Sequence, residues 1–150
     1  MEKRRIYDLP ENFTSMKDSC LKEGFHFLSK MEACWLSGEN TFSQKEEALF
    51  VALEKDIPVG ICGLNVDPYT NDKSIGRVRH LYIVPAARRK GLAKNLVEAV
   101  TDHAKNHFDI LRLRTNNPIA SQFYENLGFS LSNEKFETHL KVLKDPDKKS

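Results

Sequence analysis

The stretch "IGRVRHLYIVPAARRKGLAKNLVEAV", residues 75–100, restricts the fold more than any other part of the chain. Over 75–84 the side chains alternate as in a strand. Val78, His80, Tyr82 and Val84 are expected on one face, and Arg77, Arg79, Leu81 and Ile83 on the other. Pro85 ends the strand, since it offers no N–H to a ladder. Over 91–107, Leu92, Leu96, Val100 and Ala104 recur four apart, which gives an amphipathic helix one apolar stripe. A strand that feeds such a helix is one unit of a fold that layers helices on a sheet.

The flanking sequence extends that layer. Residues 4–9 read as a first strand ended by Pro10. Over 11–37, apolar residues recur at three- and four-residue steps, from Phe13, Met16 and Cys20 to Leu28, Met31 and Trp35, with Gly24 as a break between two helices. Two apolar runs at 48–53 and 59–66, joined by "EKD" and Pro58, have the pattern of an antiparallel hairpin. Downstream, "ILRLRT" is a strand and "IASQFYENLGF" a helix carrying Ala120, Phe123, Tyr124 and Leu127 on one face and stopping at Gly128. Residues 136–143 alternate like an edge strand. The expectation is a mixed α/β fold, a single domain over 1–144, with 145–150 as a disordered tail.

Charge narrows the function. The 23 Lys and Arg against 21 Asp and Glu leave a formal net charge of +2, too balanced for a nucleic-acid binder that works by neutralising phosphates. Cys20, Cys34 and Cys62 show no C-x-x-C spacing, and His103 with His107 lack a third ligand, so no metal site is expected. No apolar segment is long enough to span a membrane, and the first residues lack a leader's apolar core, which points to a cytoplasmic protein with no membrane partner.

The informative anomaly is local: Arg88, Arg89 and Lys90 sit at the start of the 91–107 helix, where cations oppose the helix dipole by roughly 0.3–1 kcal/mol each. An arriving anion would reverse that penalty, because the unpaired N–H groups of a helix N-terminus favour phosphate and Gly91 leaves room for it. Neither G-x-x-x-x-G-K-[ST] nor G-x-G-x-x-G is present, so the two common nucleotide motifs do not account for the charge. An ordinary solvated charge run is the competing explanation.

Arg88-Arg89-Lys90-Gly91-Leu92-Ala93 resembles the [QR]-x-x-G-x-[GA] signature of the GNAT superfamily of N-acetyltransferases. "LYIVP" before it is similar to the family's fourth strand, and "NNPIASQFYENLGF" to its second core motif, with an Asn seven residues before a Tyr. The resemblance covers 75–129. It implies a mostly antiparallel sheet of six to seven strands flanked by about four helices, with acetyl-CoA as cosubstrate. On the matching positions it implies that Leu81, Tyr82 and Ile83 present backbone groups to the pantetheine arm. Arg88, Arg89, Lys90, Gly91, Leu92, Ala93 and Lys94 would surround the pyrophosphate, and Asn117 would contact the pantetheine. Tyr124 would donate a proton to the departing thiolate, though a packed helix face explains the same aromatic pair.

The implied reaction is direct attack of a neutral amine on the thioester, with the oxyanion held by a strand N–H. The carboxylate that some relatives carry on the fourth strand is missing, with Arg77 near its place, so His80 becomes the candidate base, set against a histidine that is simply packed in the sheet. Trp35, Glu39, Asp67 and Tyr69 are candidates for the amine site, although their segments are also good turn sequences. A small-molecule amine is the expected substrate, a protein or peptide amine the second class, and assembly as a homodimer is left open. Two rivals stand: a domain that binds acyl-CoA without turnover, and a site for another phosphate-bearing ligand.

Overall fold

The structure is a computed structural model that describes residues 2–144, so the tail expected over 145–150 lies outside the described residues. The elements are β1 (Glu2–Ile6), α1 (Phe13–Lys22), α2 (Phe27–Ser37), β2 (Ala48–Glu54), β3 (Ile57–Val66), β4 (Ile75–Ile83), a 3-10 turn (Pro85–Ala87), α3 (Leu92–Ala104), β5 (Ile110–Leu113), α4 (Pro118–Asn126), β6 (Ser130–Leu131) and β7 (His139–Val142). They form a seven-stranded sheet in the order β1-β2-β3-β4-β5-β7-β6. Every neighbouring pair is antiparallel except β4 with β5.

Local chemistry accounts for most boundaries. Gly24, at φ +86°, separates α1 from α2, and Gly128, at φ +94°, follows α4. Lys55 and Asp56 both take positive φ, the backbone a two-residue hairpin turn requires. Pro58 falls inside β3 rather than before it, and is tolerated because the register shifts there, Leu53 facing Pro58 and Ala52 facing Gly60. β1 is displaced toward the N-terminus from the expected 4–9, α3 stops at Ala104 rather than at 107, β7 begins at His139 rather than at 136, and the short β6 had no alternating pattern to reveal it.

The sheet is buried on both faces. On one, α3 and α4 pack Leu92, Leu96, Val100 and Tyr124 onto Ala52, Cys62, Leu64, Val78 and Ile83. On the other, α1 and α2 pack Phe13, Met16, Cys20, Leu28 and Met31 onto Leu49, Val51, Ile61 and Tyr82. The strict alternation expected along β4 fails: Val78 joins the α3 side with Ile83, whereas Tyr82 joins the α1 side. The cause is a β-bulge. Ile61 pairs with Tyr82 but Gly63 with Arg79, three steps on β4 against two on β3, and His80 takes φ +60° to absorb the extra residue.

Candidate active site

β4 and β5 are paired only from Ile75↔Ile110 to Arg77↔Arg112. Beyond that point they part, and among the described residues β4 from Val78 onward has a strand partner on its β3 side alone. The gap opens into a cleft of about 1310 Å³ bounded by β4, the loop before α3, the end of β5 and the start of α4. That is larger than the ~300–1,000 Å³ of an ordinary small-ligand pocket, and has room for two reactants.

One end of the cleft is the N-terminus of α3. Gly91 is its N-cap at φ +79°, no side chain caps the first turn, and a Cβ on Gly91 would meet nothing within 4 Å. The first-turn N–H groups are therefore uncapped and accessible, the arrangement that favours an anion. Arg89, itself at φ +67°, is exposed beside them. The side chain of Arg88 is engaged elsewhere. It donates through Nη1 and Nη2 to Glu23 at 2.9 and 2.7 Å and through Nε to the Ile83 carbonyl at 2.9 Å. Tyr82 Oη also donates to Glu23 at 2.7 Å and accepts from Ser19 Oγ, so the carboxylate latches α1 to β4. Arg88 accordingly holds the Glu23 carboxyl below its usual range, and burial pushes the Tyr82 phenol up to about 12.

Along the opposite wall, Asn117 is the N-cap of α4: its Oδ1 accepts from the N–H groups of Ile119 and Ala120 at 2.8 and 3.4 Å. Its Nδ2 makes no hydrogen bond among the described residues and lines the cleft. About two turns on, Tyr124 is 7% exposed, enclosed by Phe123, Phe129 and His139. Burial, and then the nearby Cys62, push its phenol well above the ordinary range, so it holds its proton.

The bulge turns His80 toward the α1–α2 face, where its ring stacks on Phe27 at 6.3 Å and meets the edge of Phe42 at 6.0 Å. Burial, followed by the charge of Arg79, lowers the imidazole to about 3. That corrects the idea of a base titrating near neutrality: His80 is neutral and thermodynamically a poor proton acceptor. Phe25, Phe27, Tyr69, Arg77 and Arg79 line the cleft on this side. Arg77 lies over the Tyr69 ring at 4.6 Å and donates to the Phe136 carbonyl at 2.6 Å.

Of the residues singled out from sequence, the cleft brings together Tyr69, His80, Leu81, Tyr82, Ile83, Arg88, Arg89, Gly91, Leu92, Ala93, Lys94, Asn117 and Tyr124. Four fall outside it. Lys90 turns to Glu54 at 3.1 Å, Trp35 stacks on Phe42, and Glu39 accepts from the Cys34 thiol. Asp67 is buried beneath Arg77 and Arg112 at 3.5 and 3.3 Å, so it is part of an internal ion network and cannot meet an amine. Sequence reasoning missed Glu23, Phe25, Phe27, Arg79 and Arg114. The only signal for the first three was their position around the Gly24 break.

Comparison with known proteins agrees with this architecture. The acetyltransferase (GNAT) domain family matches residues 45–131. N-alpha-acetyltransferase 30 of Saccharomyces cerevisiae is 29% identical over 106 residues, 65% of this chain but 60% of that protein, so the match spans about three fifths of the curated relative's length. A crystal structure assigned as an acetyltransferase from Exiguobacterium sp. 255-15 superposes with a TM-score of 0.84 at 27% identity, covering 94% of this chain and 92% of that one. The yncA protein of Salmonella typhimurium, solved with its cofactor acetyl-CoA, superposes at 0.67 with 14% identity over 95% of each chain, a likeness of fold. With more than half of its length matched by the family, the chain belongs to the GNAT acetyltransferases.

Proposed function

We propose that this chain is an acetyl-CoA-dependent N-acetyltransferase that acetylates the primary amine of a small molecule, with a protein or peptide amine as the second substrate class. The observation that carries the reading is the cleft between β4 and β5, which runs from the uncapped N-terminus of α3 to the buried phenol of Tyr124. The open space at Gly91 fits a pyrophosphate, and the relative solved with acetyl-CoA shares the fold.

When bound, acetyl-CoA supplies the acetyl group as a thioester. The first-turn N–H groups of α3, with Arg89 beside them, hold the phosphates, while Arg88 contributes through its main chain and its latch to Glu23. The free edge of β4 at residues 81–83 offers backbone groups to an extended amide-bearing arm, as a neighbouring strand would. Asn117, with Oδ1 spent on the cap, keeps Nδ2 for the same arm. Tyr124 holds a proton at Oη for a thiolate leaving group. His80 serves as packing and as the hinge of the bulge. Its ring, together with Phe27, forms the wall beside which the amine sits and loses its proton to water in the open cleft.

One observation favours the alternative of an acyl-CoA-binding module without turnover: Glu23, the one carboxylate lining the cleft among the described residues, is bound by Arg88 and Tyr82 and is unavailable as a base. A thiol-release assay over a panel of primary amines separates the two. Release of CoA with any amine supports the enzyme. A rise in melting temperature with acetyl-CoA but no release with any amine supports the module, and stabilisation by nucleotides instead of CoA would displace both.

A further inference from the structure

The charge on the acceptor side of the cleft is opposite to what an amine-binding pocket would show if it attracted ammonium by charge alone. Among the described residues, the cations lining the cleft are Arg77, Arg79, Arg88, Arg89, Lys94 and Arg114, against Glu23 as the single carboxylate. Arg88, Arg89 and Lys94 cluster at the α3 end. Arg79 does not: it precedes the bulge, on the α2 side of the sheet, near enough to Cys34 of α2 and to His80 to shift both by its charge. No ion pair or hydrogen bond engages its guanidinium among the described residues. Glu39 is near the same Cys34, yet it accepts the thiol hydrogen and lies outside ion-pair distance of Arg79. Arg77 beside it is partly neutralised, since Asp67 is shared with Arg112, and among the described residues Arg114 has only the Lys135 carbonyl at 3.4 Å. A half-buried guanidinium without a partner among the described residues, backed by two more cations and facing an aromatic-lined space, has the chemistry to bind an oxyanion.

We infer that the acceptor carries a carboxylate or phosphate a few bonds from its amine and that Arg79 binds this group; the inference rests on the acetyltransferase reading of the same cleft. Arg79 sits at the middle of β4 on the face covered by α1 and α2, whereas the α3 N-terminus follows the end of the strand and packs on the other face, so the anion Arg79 serves is not the pyrophosphate. With the anion held at Arg79 and Arg77, the amine is directed away from the guanidinium groups, toward the gap where β4 has no strand partner. Phe25, Phe27 and Tyr69 border the space between and suit an apolar or aromatic body.

The test uses acceptor pairs that differ by the anion: phenylalanine with phenethylamine, 4-aminobutyrate with butylamine, and O-phosphoethanolamine with ethanolamine. In each active pair the anionic member should show a kcat/KM higher by roughly tenfold or more, the scale of one charge-assisted hydrogen bond. Arg79→Gln should abolish that preference through KM, and Arg79→Lys should restore part of it. Which pair shows the largest ratio tells carboxylate from phosphate. Equal or better turnover of the uncharged-tail amines, or an Arg79→Gln loss equal for both members, overturns the inference. Binding is measured separately, by calorimetric titration of N-acetylphenylalanine and N-acetylphenethylamine into the protein with CoA. If no amine releases thiol yet the carboxylated ligand binds more tightly and depends on Arg79, the acetyltransferase reading fails and the anion site stands. If neither ligand distinguishes wild type from Arg79→Gln, the anion site fails whatever the turnover shows.

Discussion

The phenol of Tyr124 keeps its proton because burial denies a phenolate its water, so in the proposed reaction the proton is at Oη when the thiolate forms. Tyr124→Phe should lower kcat by roughly 10²-fold, as loss of a general acid does, with acetyl-CoA affinity largely retained. Its melting temperature should stay within about 2 °C of wild type, since the hydroxyl makes no hydrogen bond among the described residues. Because the phenol does not titrate below about pH 10, the alkaline limb of a kcat profile should keep its position in the variant. His80 behaves in the opposite sense. Its folded pKa of about 3 lies below the ~6.5 of an unfolded histidine, so the unfolded chain binds the proton first as pH falls. The stability this contributes is complete above about pH 6.5 and is lost progressively toward pH 3. Denaturant titrations at pH 7.5 and pH 5 should show wild type losing more stability than His80→Asn, which tolerates φ +60°; equal losses would refute the assignment. His80→Val, which tolerates that backbone poorly, should be about 1–2 kcal/mol less stable than His80→Asn at either pH.

Elements were legible wherever a local rule specifies them. The 92–104 stripe, the Gly24 and Gly128 breaks and the alternating hairpin runs each follow from the side chains of one segment, and each element formed. Boundaries moved where the deciding contact lies on another segment, as at Pro58, which stays in β3 because β2 shifts register opposite it. The parallel start of β4 and β5 depends on such a contact too. A Cβ on Gly76 would come within 2.7 Å of the Phe108 ring, a side chain that is fully buried and cannot withdraw. Gly76→Ala should therefore cost about 1–3 kcal/mol, read as a lowered denaturation midpoint with an unchanged m-value, because overpacking strains the junction from which the cleft opens.

At the scale of the molecule, the ion network of Asp67, Arg77, Arg112 and Glu137 joins the β3–β4 loop, β4, β5 and the segment before β7. Arg112 Nε lies 3.0 Å from Glu137 Oε1 but off the hydrogen-bond direction, so Asp67 is the acceptor that matters most to both guanidinium groups. Asp67→Ala would leave the buried Arg77 without its carboxylate and Arg112 with Glu137 alone, and should destabilise the fold by about 3–5 kcal/mol, with little relief from salt; a loss below ~1 kcal/mol would show the network to be dispensable. Nothing in "DPYTND" announces this role, because Asp67 and Arg112 are 45 residues apart and meet only when β4 and β5 align. The sequence by itself determined the order of strands and helices apart from the short β6, the glycine-opened helix end with its cations, and the Asn and Tyr that resemble the family's second motif, since each is a property of one contiguous segment. Only the tertiary structure decided which of the candidates share a cleft. Arg88 is drawn to Glu23 from 65 residues away, His80 is turned into the aromatic face by a bulge set against β3, and Arg79 is left without a partner among the described residues, because pairing, register and burial are settled between segments and not within them.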